Sequence, residues 1–526
     1  MSRRLLIADA VRDAAAVAGD AVLIDGTRII TVGNADALRT PGVPEARYRG
    51  ATIVPGLRDA HLHPVGYAAA LHRPSLKEAA DFLALADILA EAASVLPPRS
   101  AVTALRLDDE SLAEGRLPDR DLLDRVVPDR PVLLVRYCGH IMVANSAALA
   151  LAGVDERTPD PSGGSMDRDA TGRLTGVLRE TATEPVAAAV QALAPPISSD
   201  QVVDAATALA AVGLTGVGAM VTSDAGCWAG AGSELDAIVD AAGHIPITMG
   251  VMVVADGPQD LERAAQRLSD ATGRVRFLGV KIFADGSLGG HTAAMREEYA
   301  DLPGERGTDR LDPIWAAELA HTSLGLGGNV AIHAIGDRAN GTVLGLMERL
   351  IRDGADPAML RVEHASVLTE DDISRFGRMG VTACVQPAFM ASETTWLRKR
   401  VGPARLLRTY PFRSLADAGV PLAGGSDCPV EPPHPLPNMA AARDRCGIVP
   451  EQALTHSEAL EMFTDGAARA IGEVASLRPG DPATFTVVDV DPVTATPAEL
   501  RRARVLDTWV AGTRVPVPTG VITWQG

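Results

Sequence analysis

A rhythm through the middle of the chain constrains the fold more than any other feature. Short β-branched, apolar runs alternate there with Ala/Leu-rich amphipathic stretches. Candidate strands are Thr52–Leu57, Leu214–Met220, Ile247–Val254, Leu278–Phe283, Val330–His333, Val362–His364, Val381–Val385 and Leu422–Gly425. Helical stretches such as Val202–Val212 and Ala316–Gly325 lie between them. A strand followed by a returning helix pairs in parallel with the next strand. Units of this kind fit an α/β architecture, a (β/α)8 TIM-like barrel with its chemistry at the strand ends. An open doubly wound sheet would need a phosphate-binding Gly-rich turn after its first strand, and none is present.

One interval breaks the rhythm. About 150 residues separate the first candidate strand from Leu214, far more than one helix requires. The stretch 75–200 is therefore expected to be an inserted subdomain over the barrel mouth, with its own strand Pro131–Arg136 and turns around Gly163-Gly164 and Thr171-Gly172. Both ends of the chain read as strands. Ala21–Gly33 holds an Asp-Gly turn between two β-rich runs, and Ala483–Asp489 and Val505–Gly512 are strand-like. The expected division is a composite β-sandwich from 1–54 and 476–526, a barrel over 55–475, and the insertion within it. The alternative for the ends is two unrelated hairpins.

With 49 Lys+Arg against 67 Asp+Glu, the formal net charge is -18. Such a surface repels a polyanion, so nucleic acid is not an expected partner. Five dispersed cysteines with no C-x-x-C pair suit a reducing compartment rather than a disulfide framework. The apolar run after Arg3-Arg4 ends at Asp9, too early for a signal peptide or a membrane span. A cytoplasmic protein without a membrane partner is expected, with a homodimer as the default assembly.

The strongest local signal is Val54-Pro-Gly-Leu-Arg-Asp-Ala-His61-Leu-His63. Side chains at i and i+2 of a strand share a face, so His61 and His63 can reach one cation, and imidazole suits zinc and similar ions. His333, His364 and Asp427 each follow a later β-rich run, where a barrel carries its functional groups. Lys281 is embedded in the apolar strand Phe277–Phe283. A bare buried ammonium is costly, which leaves carbamylation to a metal-bridging carboxylate, a Schiff-base role, or an ion pair with Asp285 or a glutamate.

These motifs, taken together, resemble the amidohydrolase superfamily, in particular amidohydrolase family 3, which includes enzymes similar to N-substituted formamide deformylases. The resemblance runs from Val54–His63 through Gly139-His140, Ala144-Asn145-Ser146, Val280–Leu288, Ile332–Ala339, Glu363-His364-Ala365, Tyr410-Pro411-Phe412 and Gly425–Val430 to Ser476–Gly480. It implies that His61 and His63 ligate one divalent metal, most simply zinc, and His333 and His364 a second, with N-carboxylated Lys281 as the bridge. It leaves one or two ions open. It implies that Asp427 is both metal neighbour and proton shuttle. His140 is carried over as either a substrate contact or a structural hydrogen-bonding residue, and His291 stands equally between a pocket residue and a structural one. Glu180 either lines the pocket or forms a structural pair. The remaining histidines, His72, His244, His321, His434 and His456, read as surface or structural.

The sequence departs from the family where Gly290-His291 replace a small residue and arginine, where Cys428 replaces a frequent Trp, and at Ala483-Thr484-Phe485. The first two lie near the expected pocket, so substrate identity does not transfer with the metal ligands.

The chemistry expected is hydrolysis of an amide- or formamide-type carbon–nitrogen bond in a small molecule by metal-activated hydroxide, with Asp427 moving the proton. The rival readings are a Schiff-base lyase using Lys281 and a non-catalytic ligand-binding barrel. The apolar segment Phe389–Trp396 favours a hydrophobic or aromatic substituent on the substrate.

Overall fold

The computed structural model describes residues 3–109, 111–136, 141–161, 164–224 and 230–516. Eight strands form one parallel sheet in chain order: β1 (Leu57–Leu62), β2 (Leu214–Thr222), β3 (Thr248–Val254), β4 (Val275–Phe283), β5 (Asn329–Ala334), β6 (Leu360–His364), β7 (Thr382–Val385) and β8 (Leu422–Gly424). Each ladder from β1–β2 to β7–β8 is parallel. The seam between β8 and β1 is joined just past the strand ends, where Asp427 N donates to His61 O (2.8 Å) and His63 N donates to Cys428 O (2.7 Å). The barrel closes through the residues singled out as its chemistry.

The first strand differs from its expected bounds. Thr52–Pro55 belongs to a longer strand, Glu45–Pro55, that pairs antiparallel with Phe485–Val488 outside the barrel, and the barrel strand begins at Leu57. Pro55-Gly56 makes the break. A Cβ on Gly56 would lie 2.4 Å from Thr215 Oγ1, so only glycine lets the chain cross from one sheet to the other.

Helices between strands bury one face. Ser199–Ala211 starts with a capping box, Ser198 with Gln201, and buries Val202, Ala205, Ala206 and Leu209, spacings that fall on one helical stripe. Inside the barrel, Met220, Met252, Leu278 and Ala331 from four successive strands meet Ile471, while Ala60, Cys384 and Ala423 meet Ala467 and Ala470. The segment 467–471 therefore packs against the barrel's inner side chains.

Two further sheets flank the barrel. The terminal strands Arg3–Arg12, Val17–Asp25, Arg28–Gly33, Glu45–Pro55, Phe485–Val488, Val505–Val510 and Thr513–Arg514 form one seven-stranded sheet from both ends of the chain. It folds back on itself, with an isolated bridge from Arg28 to Pro482 around a core that includes Trp509 and Phe485. Between β1 and β2, the strands Val102–Leu107, Val132–Arg136, Ile141–Ala144, Gly164–Arg168 and Leu174–Glu180 build a five-stranded sheet with apolar clusters of its own. Gly172 turns with φ 85° between its last two strands, and Gly164 opens one of them. Gly163 lies outside the described residues.

Candidate metal centre

His61 is the penultimate residue of β1 and is 1% exposed. Its Nδ1 lies 2.6 Å from Glu363 Oε2 on β6. An ionised carboxylate only accepts, so Nδ1 carries the proton and the lone pair sits on Nε2. That Nε2 lies 3.3 Å from Asp427 Oδ1 and 3.5 Å from Lys281 Nζ. His63, at the N-cap of the helix Pro64–His72, places its Nε2 3.2 Å from the same Asp427 oxygen.

His364 ends β6 with φ 71°, a left-handed conformation that a non-glycine residue adopts at a cost. Its Nδ1 donates to Gln386 Oε1 at 2.8 Å, which leaves Nε2 with the lone pair. Its ring centroid is 5.0 Å from that of His61 and 4.5 Å from that of His333. His333, on β5, donates from Nε2 to Gly286 O at 2.9 Å, so its free lone pair is on Nδ1. Asp285 stands beside it, 3.2 Å from that Nε2, and accepts the backbone N–H groups of Ala294, Ile335 and Gly336.

Lys281, on β4, is 2% exposed. The expected pairing with Asp285 is not formed, because both Asp285 oxygens serve backbone donors and His333. Among the described residues no carboxylate lies in ion-pair range of Lys281 Nζ, which instead sits 4.9 Å above the Phe283 ring. Burial pushes its ammonium pKa down, against the weaker pull of the Glu363 and Asp427 charges.

Asp427 also adopts a left-handed backbone, φ 58°. Burial pushes its carboxyl up, but the neighbouring imidazoles of His61, His63 and His364 outweigh that and hold it well below the usual carboxylate range. Asp59 accepts the N–H groups of His61 (2.9 Å) and Ser426 (3.1 Å), fixing the backbone on both sides of the seam.

His61, His63, Lys281, His333, His364 and Asp427 thus lie in one connected group at the C-terminal ends of β1, β4, β5, β6 and β8. The donor set fits a divalent cation. Four donors about 2.1 Å from a tetrahedral zinc lie roughly 3.4 Å apart. The ligand atoms of His61, His364 and Asp427 all fall within 4.8 Å of one another, with His61 Nε2 3.3 Å from Asp427 Oδ1. Three imidazoles have their second nitrogen committed to an acceptor, the outer-sphere arrangement that sets ligand tautomers. A second cluster, His61, Glu363 and Cys384, satisfies the same spacing but not the chemistry. Arg361 occupies Glu363, and burial pushes the Cys384 thiol well up, so it stays protonated.

His291 is placed differently from a ligand. Its Nε2 lies 3.1 Å from Asp301 Oδ1 and its ring meets Tyr299 edge-on at 5.0 Å. Asp301 also holds Arg400, which donates to Leu288 O and Gly289 O, so His291 braces the loop after β4. His140 lies outside the described residues, and Glu180 ends the strand Leu174–Glu180. Phe389 stacks on His364, with centroids 6.1 Å apart and planes at 10°. The residues a sequence reading passes over are Glu363, Arg361, Gln386 and Asp59. One signal was available: Leu360-Arg-Val-Glu-His364 alternates charged and apolar residues on a buried strand, which puts Arg361 and Glu363 on one face.

Comparison with known proteins gives concordant matches. The family described as "Amidohydrolase family" matches residues 49–516. The N-substituted formamide deformylase of Arthrobacter pascens is 32% identical over 531 residues, covering 95% of this chain and 95% of its own. The protein LONG AFTER FAR-RED 3 of Arabidopsis thaliana is 30% identical over 502 residues, covering 90% and 84%. Among solved structures, an uncharacterized metal-dependent hydrolase from Pyrococcus furiosus superposes with a TM-score of 0.75 at 26% identity, covering 94% of this chain and 100% of that one.

Proposed function

The chain belongs to the amidohydrolase family, and from that premise we propose that it is a metal-dependent hydrolase of amide- or formamide-type carbon–nitrogen bonds in small molecules. One observation carries the reading: the ligand atoms of His61, His364 and Asp427 lie within 4.8 Å of one another, with His63 against Asp427, Lys281 against His61 and the His333 ring against that of His364. The formamide class is supported by the likeness to the deformylase. The barrel over 55–475 is the catalytic body in this proposal, with 1–54 and 476–526 as its sandwich and 75–200 as its insertion.

His61 and His63 would hold one divalent cation, for which zinc suits the imidazole and carboxylate donors, and His333 and His364 a second. When bound, such a cation supplies a lowered water pKa and an electrophile for a carbonyl oxygen. Burial pushes the Lys281 ammonium pKa down, which favours the amine form that carbamylation requires, and as a carbamate it would offer a carboxylate to the same group of imidazoles. Asp427, held ionised, accepts the proton of the attacking water and returns it to the departing nitrogen, converting a poor leaving group into an amine. Phe389, against His364, gives an apolar wall for a hydrophobic substituent.

The test is metal analysis of the purified protein together with turnover of N-substituted formamides and N-acyl amines before and after chelation. One or two zinc ions per chain and activity lost on chelation, then restored by zinc, are expected. Full turnover in metal-free protein would end the proposal. Borohydride-dependent covalent capture of a carbonyl compound at Lys281 would transfer it to the Schiff-base reading.

A further inference from the structure

We propose that Arg361 and Glu363 are positioning residues that fix the tautomer and direction of His61. The inference rests on the metal-hydrolase reading, and it extends that reading to residues that are not ligands. Arg361 and Glu363 are i and i+2 on β6 and both face into the barrel, 1% and 0% exposed. Glu363 is engaged from two sides. Its Oε1 and Oε2 accept a forked pair of bonds from Arg361, the second at 3.0 Å, and Oε2 also accepts from His61 Nδ1 at 2.6 Å.

The guanidinium is in turn fixed to the backbone. Nη2 donates to Ala60 O (2.6 Å), the residue before His61, and Nη1 donates to Ala470 O (3.0 Å), in the segment that packs into the barrel. Arg361 therefore ties the strand carrying His61 to the acceptor that orients His61's ring. A planar fork can do this and a lysine cannot, because only the guanidinium presents parallel N–H groups to a carboxylate.

A buried ion pair is weak evidence of a stabilising role, since well-packed apolar residues of similar volume are often as stable or more so. Its placement serves direction instead. With Nδ1–H held by Glu363, the His61 lone pair is confined to Nε2, on the side of Asp427 and Lys281. A ring free to flip or change tautomer would present that lone pair to the site only part of the time. Loss of such outer partners typically lowers metal affinity by about 10–100-fold.

The experiment starts with the full-length protein freed of metal and labelled with nitrogen-15 at histidine. Long-range proton–nitrogen correlation should show His61 as the Nδ1–H tautomer, assigned by its loss in His61→Gln. An Nε2–H tautomer in the unaltered protein would overturn the proposal without any variant. Replacing the pair together, Arg361→Met with Glu363→Leu, avoids an uncompensated buried charge and is expected to preserve the melting temperature. In that variant the Nδ1–H signature should vanish, and zinc affinity by chelator competition should fall about 10–100-fold. Unchanged zinc affinity with the original tautomer would overturn it.

If the double variant does not fold, Arg361→Lys with Glu363 intact gives the second reading. Loss of the fork should weaken zinc by a smaller factor while leaving secondary structure unchanged, and undiminished affinity there would also count against the pair. Failure of the unaltered protein to bind zinc, cobalt or manganese would sink the metal-hydrolase reading instead. The tautomer measurement would still decide what Glu363 does to His61.

Discussion

At the scale of single residues, Asp427 joins the barrel seam to the candidate metal centre. Its N–H closes the barrel seam onto His61 O, its carboxylate touches both His61 and His63, and its backbone is held left-handed. Asp427→Asn keeps the shape and a hydrogen-bonding side chain but removes the proton acceptor. Turnover should fall at least about 10²–10⁴-fold, the usual contribution of such proton transfer, with the far-ultraviolet circular dichroism unchanged. Steady-state rates with a formamide substrate check it, and a variant of undiminished kcat would reassign the shuttle. The ligand candidates were legible because each ends an apolar run, where a lone His or Asp stands out. Their outer partners were not. Nothing in the sequence pairs Glu363 with His61 or Gln386 with His364, since those contacts cross between strands whose register only the folded barrel sets. Asp285 illustrates the limit: proximity in sequence made it the natural counter-ion of Lys281, yet its oxygens serve three backbone donors and His333.

At the scale of elements, the segment after β7 carries a buried carboxyl that makes the barrel mouth pH-sensitive. Phe389–Ser392 and Leu397–Leu406 flank Glu393, whose carboxyl accepts the Tyr410 hydroxyl at 2.8 Å. Burial, with the Glu431 charge adding to it, pushes Glu393 up to about 8, against the opposing effects of Tyr410 and Arg400. The folded state therefore holds this proton more tightly than the unfolded chain does. Stability from the protonated group is full below the ordinary glutamate range near 4.5 and declines as pH rises towards 8. Melting temperature should drop as pH rises from about 5 to about 8, and Glu393→Gln should flatten that drop; parallel profiles for the two proteins would show that another group titrates. The rhythm of β-runs and helices was legible at this scale because buried parallel strands are continuously apolar. The misplacement of the first strand has a local cause. Thr52–Val54 and Leu57 are β-prone, but Pro55-Gly56 interrupts the run, and the close packing of Gly56 against Thr215 divides it between two sheets.

At the scale of the whole molecule, the ends of the chain depend on each other. Arg12 holds Asp491 with two bonds at 3.1 and 2.8 Å, and Tyr48 donates to Asp507. Trp509 is 1% exposed, stacks on Phe485 and donates to the Tyr48 hydroxyl. Trp509→Ala should cost about 3–5 kcal/mol, as large-to-small changes of buried aromatics do. Urea unfolding would read the loss, and a change under 1 kcal/mol would show that the terminal sheet is not coupled to the barrel. Meeting of the two ends could be anticipated from their β-rich character, but the single curled sheet could not, because the pairing of Glu45–Pro55 with Phe485–Val488 has no local signature. Among the described residues no helix is long and apolar enough to cross a membrane.

The same sheet sets a timetable for biosynthesis. Leu57 bonds a side chain 429 residues later, and at about 5–20 residues per second the ribosome needs roughly 20–90 s to deliver it. Through that interval every barrel strand can emerge while one edge of Glu45–Pro55 offers open amides and carbonyls to any passing strand, the condition under which chains cross-pair and precipitate. A translation pause just before Phe485 would hold a complete set of barrel strands beside an unsealed edge, so recombinant yield should hinge on how the last codons are read and on how many chaperones stand by.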